Sequence, residues 1–271
     1  MRYLARSGTG DPLLGDEDGI VPLSAAIPAA DSLGDALRMA PDGLPDTGAG
    51  SAVPVPPEGV SFASPIADPG KLLGIGLNYV DHADDLKEEP PDEPASFFKP
   101  ASALTGPGGP IRLPPREISD RVTAEAELAV VVGRTCTDIT AGGADDVIAG
   151  YLPVIDVTAE DVLARNPRFL TRAKSFDTFL VPGPRLVVDA GFDIADVEVR
   201  TIVNGDTVAE NAVANMQYSP RELVAFHSRV MTLRPGDIIS TGTPGAGVIG
   251  PGDTARAEVD PVGDVTASVV L

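Results

Sequence analysis

The sequence predicts a β-rich α+β fold rather than a doubly wound sheet, with a small N-terminal domain ahead of a larger working domain. Three observations carry this. Apolar runs of strand length recur from Leu72 onward. Asn204-Gly205, the dipeptide of a tight type I′ hairpin, joins two alternating runs. One segment, opening at Ser219, carries a full helix-start signature, and no internal repeat is present.

In chain order, residues 1 to about 38 read as a short strand over Met1 to Ala5, a turn, a second strand near Ile20 to Leu23 and a helix around Ser32 to Met39. Pro41 to Gly59 holds five prolines and four glycines with almost no periodicity, which is linker composition. The expected division is therefore a small N-terminal domain plus linker over residues 1–60 and a main domain over 61–271. Leu72 to Leu77, Ala126 to Val132, Val147 to Val157 and Phe179 to Val188 read as strands. Val197, Val199, Thr201 and Val203 alternate up to the hairpin dipeptide, and Thr207-Val208 begins the return. Ser219-Pro220-Arg221-Glu222 is a capping box with Pro at the first helical position, so a helix follows and ends near Met231. Ile238-Ile239-Ser240 is strand-like, and two last strands flank a turn at Pro261 to Asp264.

Composition sets the limits on function. Hydrophobic content is 43% but aromatics are 4% and Trp is absent, so the core is built from Val, Leu, Ile and Ala. The formal net charge is −20, Asp outnumbers Glu 27 to 13, and Arg outnumbers Lys 16 to 4. Such a surface repels itself in dilute buffer and is screened by salt. It resembles the surfaces of proteins from salt-accumulating halophiles, with an ordinary acidic soluble enzyme as the alternative. Nucleic-acid binding is disfavoured because phosphate contacts need clustered bases. Cys136 is the one cysteine, so no internal disulfide forms. No segment approaches the roughly 20 apolar residues that span a bilayer, and no apolar signal core follows Met1, so no membrane partner and a cytoplasmic location are expected.

The chemistry concentrates around Glu125-Ala126-Glu127, which opens the apolar run Leu128 to Val132. A strand turns alternate side chains to one face, so both carboxylates point the same way. Two desolvated like charges are costly unless something positive lies between them. A solvated strand end is the plainer alternative. Asp156, alone in the apolar run Tyr151 to Val157, adds a third acid. Glu125, Glu127 and Asp156 together offer three oxygen ligands and leave positions open for water and a chelating substrate, which suits Mg²⁺ or Mn²⁺. Cys and His at zinc spacing are absent.

In a chain that avoids lysine, Lys174 is expected to do what Arg cannot: place a compact ammonium near a developing oxyanion. A surface pair with Asp177 is the alternative, and Lys99 falls under the same argument. His82 has Asp85 one helical turn on, an arrangement that orients an imidazole as a general base. His227 lies within the capped helix and reads as structural. Gly74-Ile75-Gly76 lacks the third glycine of a dinucleotide site, and Thr241 to Gly247 is no P-loop. Its hydroxyls and backbone N–H groups suit a small carboxylate.

Taken in order, these residues resemble the fumarylacetoacetate hydrolase superfamily. The likeness rests on Gly76-Leu77-Asn78-Tyr79 with His82, Phe98-Lys99-Pro100, Glu125-Ala126-Glu127-Leu128, and Gly150-Tyr151 leading to Asp156-Val157-Thr158-Ala159. It continues through Ala173-Lys174-Ser175-Phe176-Asp177, Pro182-Gly183-Pro184, Val203-Asn204-Gly205, and Pro235-Gly236-Asp237 with Thr241-Gly242-Thr243-Pro244. It runs from about Lys71 to the C-terminus. The resemblance implies a β-roll of several small sheets, a homodimer, and Mg²⁺ or Mn²⁺ held by Glu125, Glu127 and Asp156. It also implies a small 2-oxo acid as substrate, with Lys174 holding its oxyanion and Tyr79, Lys99 and Thr243 as substrate contacts. His82 and Asp85 then form the catalytic pair that activates water. Two positions depart from the family pattern: Asp85 stands where Glu is usual, one methylene shorter, and Glu160 where Arg is usual.

The leading expectation is metal-dependent hydrolysis of an acylpyruvate-type C–C bond. Isomerisation of a 2-hydroxyhepta-2,4-diene-1,7-dioate or 5-carboxymethyl-2-hydroxymuconate type of substrate reuses the same enolate. So do oxaloacetate decarboxylation and dehydration of a 2-oxo-3-deoxy sugar acid. A non-catalytic small-acid binding protein is the reading from a different class.

Overall fold

The computed structural model describes residues 1–40, 43–80, 91–189 and 191–271. Its strands are β1 (Arg2–Ser7), β2 (Pro12–Asp16), β3 (Gly19–Pro22), β4 (Phe62–Ala63), β5 (Leu72–Gly76), β6 (Ala95–Lys99), β7 (Ile111–Arg112), β8 (Val122–Val132), β9 (Ile148–Ala159), β10 (Leu180–Pro182), β11 (Arg185–Asp189), β12 (Glu198–Val203), β13 (Asp206–Ala212), β14 (Ile238–Ser240), β15 (Ala246–Ile249), β16 (Thr254–Asp260) and β17 (Gly263–Val270). The fold is strand-rich α+β, as the sequence predicts. The larger sheet runs β3-β2-β1-β11-β9-β8-β14-β5-β6, with β10 on β9, β15 on β8 and β4 on β1; the smaller runs β13-β12-β16-β17-β7.

The long antiparallel pair β8–β9 is the spine. All eleven residues of β8 are buried, because both its faces are covered. On one face Ala124, Ala126, Leu128, Ile155 and Val157 pack against Ala255, Ala257, Val259 and Val265 of the smaller sheet. Small side chains on both sides let the two sheets close on one another. On the other face Ala129, Val131, Leu152 and Val154 meet Leu4, Leu14, Val21 and Leu23 from the N-terminal segment. A third cluster places Leu223 and Val224 of the helix Pro220–Val230 on Leu73, Ile75, Val130 and Ile239.

Local chemistry explains the boundaries. The β12–β13 turn carries Asn204 at φ 53° and Gly205 at φ 91°, the two left-handed positions that a type I′ turn demands. The helix Pro220–Val230 is opened by the reciprocal Ser219–Glu222 box and stops at Met231. The expected strand Phe179 to Val188 is two strands, β10 and β11, divided at Gly183-Pro184, where Pro lacks the N–H a continuous ladder needs. Strand Ala126 to Val132 begins four residues earlier, at Val122, where β15 and β9 supply partners that sequence periodicity does not reveal.

Residues 1–60 extend the large sheet: β1 pairs with β11 on one side and β2 on the other. The Pro/Gly-rich stretch packs too. Thr47 is buried, its hydroxyl and N–H both bound to Asp16, and Val55 bridges to Ile20. Among the described residues no helix is long and apolar enough to cross a membrane.

Candidate metal centre

The site is built by strand register. Glu125 of β8 lies directly opposite Asp156 of β9, and Glu127 follows two residues on, so all three side chains share one face. Each offers an oxygen within 4.8 Å of the others, and all three residues are buried. Thr123 and Thr158 stand on the same face, and the Thr158 hydroxyl donates to Glu125 Oε1 at 2.5 Å.

The third acid is held from another direction. Glu127 Oε2 accepts from the Ser240 hydroxyl at the end of β14 and from the N–H of Gly242 at 2.9 Å. Gly242 has φ +100°, and a Cβ there would stand 2.9 Å from the Asn78 side chain, so the turn admits little besides glycine. Asn78 is itself buried, donating to the carbonyls of Tyr218 and Thr241 and accepting from the Tyr218 N–H. The loop from Thr241 to Gly245 thus runs beside the acids, from β14 to Ala246 of β15, which pairs opposite Glu125.

Two ammonium groups meet two of the three carboxylates. Lys174, closing the short helix Leu170–Lys174, bridges Glu125 Oε2 at 2.5 Å and Asp156 Oδ2 at 2.9 Å. Its ammonium also stands 5.2 Å from the centre of the Phe97 ring, a cation–π contact. Lys99, on β6, pairs with Asp156 Oδ1 at 2.5 Å. Burial favours the neutral form of Asp156, but Lys174 and Lys99 outweigh it and hold the carboxyl below its usual range. For Lys174 burial acts downward, yet Asp156, Glu125 and Glu127 overcome it and raise the ammonium above its ordinary value. Glu127 makes no direct ammonium contact, and Lys174 lowers it only from a distance. Burial, then the charges of Asp156 and Glu125, push it up to about 8. Hard oxygen donors, a shared face and an undercompensated third acid fit a divalent cation such as Mg²⁺ or Mn²⁺.

Of the residues expected at the site, Glu125, Glu127, Asp156, Lys174 and Lys99 come together. Lys174 faces the acids rather than Asp177. Thr243 lies on the adjoining loop, its hydroxyl donating to the Gly245 carbonyl at 2.9 Å. Tyr79 is fully buried in the core between the sheets, its hydroxyl without a hydrogen-bond partner and its ionisation pushed up by burial. His82 and Asp85 lie outside the described residues. Glu160 turns outward to Arg121, 2.6 Å away. His227 is buried in its helix with Nδ1 donating to the Leu223 carbonyl, a structural placement. Sequence reasoning passes over Ser240, Thr158 and Phe97. The first two are ordinary strand hydroxyls until register sets them against a carboxylate, and Phe97 carries no signal of its own beside Lys99.

Residues 71–270 match the family model described as fumarylacetoacetate (FAA) hydrolase C-terminal. The mitochondrial oxaloacetate tautomerase fahd2 of Xenopus laevis is 39% identical over 221 residues, 78% of this chain and 69% of that protein. Among solved structures, 2-hydroxyhepta-2,4-diene-1,7-dioate isomerase from Mycobacterium marinum superposes with a TM-score of 0.78 at 34% identity, covering 100% of this chain and 98% of that one. Maleylpyruvate hydrolase from Sphingobium sp. SYK-6, solved with manganese(II) and pyruvate, gives a TM-score of 0.77 at 30% identity, covering 100% and 99%.

Proposed function

The chain belongs to the fumarylacetoacetate hydrolase family, and from that premise we propose that it is a Mg²⁺- or Mn²⁺-dependent enzyme that enolises a 2-oxo acid and returns the proton elsewhere, as a tautomerase or isomerase. The observation that carries this reading is Lys174. An ammonium has three N–H donors, and two are used on Glu125 and Asp156, which leaves the third for an oxyanion. A bound divalent ion supplies Lewis-acid charge to the substrate's carboxylate and 2-oxo oxygens. Glu125, Glu127 and Asp156 would hold that ion. Their own hydrogen bonds, from Thr158 and Ser240, keep two of the carboxylates in place without spending a charge. The β8–β9 face excludes bulk water, which strengthens every electrostatic contact within it. For the proton carrier we propose His82, oriented by Asp85.

Hydrolysis of an acylpyruvate-type C–C bond is the second reading. It has in its favour the manganese- and pyruvate-bound hydrolase among the structural neighbours, and the His82–Asp85 pair as an activator of water. Tautomerisation stands first because the tautomerase and isomerase relatives are nearer in sequence than that hydrolase.

The test is proton NMR in D₂O with oxaloacetate and acetylpyruvate, in KCl, with Mn²⁺ or Mg²⁺ and with a chelated control. Deuterium uptake at C3 above the metal-only rate, lost in Glu127→Gln, is the expected result. Pyruvate and acetate from acetylpyruvate, formed only with protein and metal, would move hydrolysis to first place. Neither signal from folded, metal-loaded protein would overturn both readings.

A further inference from the structure

We propose that Lys99 is a positioning residue, which fixes Asp156 and the end of the Lys174 helix as one unit, and that it makes no contact with substrate. Its side chain is 2% exposed. β6 is the last strand of the large sheet, and its alternation turns Phe98 outward while Phe97 and Lys99 point in. From there the Lys99 ammonium reaches Asp156 Oδ1 at 2.5 Å, the Lys174 carbonyl at 2.5 Å and the Phe179 carbonyl at 2.8 Å, with the Val157 carbonyl farther off at 3.4 Å. Its three N–H donors go to those three carbonyls, so none is left for a ligand, and the contact with Asp156 Oδ1 is one of charge rather than a hydrogen bond.

Those oxygens belong to three different segments. Asp156 is in β9, Lys174 ends its helix, and Phe179 precedes β10 while also accepting the Val157 N–H. Asp156 therefore accepts a hydrogen bond from Lys174 at Oδ2 and faces the Lys99 charge at Oδ1, which has no hydrogen-bond partner among the described residues, so two ammonium groups hold it from different sides. Lys99 also holds the backbone that carries Lys174. A compact ammonium gathers oxygens that lie around it, where a planar guanidinium fork would need them in its own plane. The catalytic consequence rests on the function proposed above; the positional role does not.

The experiment is Mn²⁺ EPR of the loaded protein, without substrate, on the parent, Lys99→Met and Lys99→Arg, followed by oxalate titration and steady-state rates. Positioning predicts an altered Mn²⁺ line shape in both variants before any ligand is added, an unchanged oxalate affinity, and a turnover loss of about 10²-fold from a misplaced centre. An unaltered line shape with weakened oxalate binding makes Lys99 a substrate contact and overturns the proposal. So does a variant indistinguishable from the parent throughout. If Lys99→Met does not fold, Lys99→Arg, which keeps the charge and changes only the geometry, decides between these outcomes. A parent that takes up no Mn²⁺ overturns the metal reading together with this one, and is told apart from the other results by that parent spectrum alone.

Discussion

The Lys174 ammonium lies between two buried carboxylates and neutralises charge for the fold, and in the function proposed above it also donates to an oxyanion, a role that kinetics tests. Lys174→Met is expected to lower turnover about 10²–10³-fold, the loss typical of one missing oxyanion donor. Lys174→Arg should not restore it, since the fork is bulkier and planar. Both are checked by steady-state kinetics at saturating Mn²⁺. A rate within a few-fold of the parent would remove Lys174 from the mechanism. The three acids are legible in the sequence because a carboxylate inside an apolar run is costly unless something compensates it. Lysine scarcity is informative for the same reason: Lys71, Lys99 and Lys174, all the described lysines, each pair with a buried or nearly buried acid. What Lys99 touches is not legible. Its partners lie far along the chain and meet it only through the pairing of β5 with β6 and the packing of the Lys174 helix.

At the scale of elements, β5 and β6 show how a neighbouring strand shapes the centre. Gly74 faces Phe97 across the β5–β6 pair, and a Cβ on Gly74 would come within 2.2 Å of the ring that lies beside Lys174. Gly74→Ala is therefore expected to cost about 1–3 kcal/mol by overpacking, read from the urea midpoint, and to displace Phe97. Adding Phe97→Leu should recover part of the loss; no recovery would place the clash elsewhere. The glycine looks in sequence like a fragment of a nucleotide loop, and only the cross-strand ring explains it.

A second element, the helix Pro220–Val230, carries His227, whose Nδ1 donates to the Leu223 carbonyl and whose Nε2 accepts from the Ser96 hydroxyl of β6 at 2.7 Å. Burial lowers its pKa below 6.5. The unfolded chain then binds more protons in that window, so the contribution is full above pH 6.5 and is lost as pH falls toward the folded value. In urea titrations across pH, His227→Gln should show a shallower acid decline than the parent, and parallel curves would contradict the assignment. The helix itself is legible from its capping box. The short helices Glu160–Arg165 and Leu170–Lys174 are not, being too brief to show periodicity and held by packing on β9 and β6.

For the whole molecule the dominant fact is a net charge of −20 on a chain whose lysines are largely drawn inward. Surface repulsion among the carboxylates is long-ranged at low salt and is screened over about 3 Å at 1 M. The melting temperature should therefore climb as KCl is raised from low concentration, and a flat profile would remove self-repulsion as a factor in stability. Mn²⁺ should add to this separately, since a ligand bound only by the folded state stabilises by about 2.7 kcal/mol at a hundred times its Kd.

The inward lysines also decide how this protein responds to reagents. Lys99 and Lys174 have side chains 2% and 7% exposed and Lys71 24%, so apart from Lys87, which lies outside the described residues, the native molecule offers acylating agents little besides its N-terminus and part of Lys71. Peptide mapping after treatment with an amine-reactive ester should find Lys99 and Lys174 intact in the folded protein and modified only once it is unfolded; native acylation of Lys174 would contradict its placement. Glutaraldehyde crosslinks and trypsin will accordingly find few footholds at lysine, attachment to a solid support will proceed better through carboxylates, and the number of acylated lysines becomes a simple gauge of whether the centre is assembled.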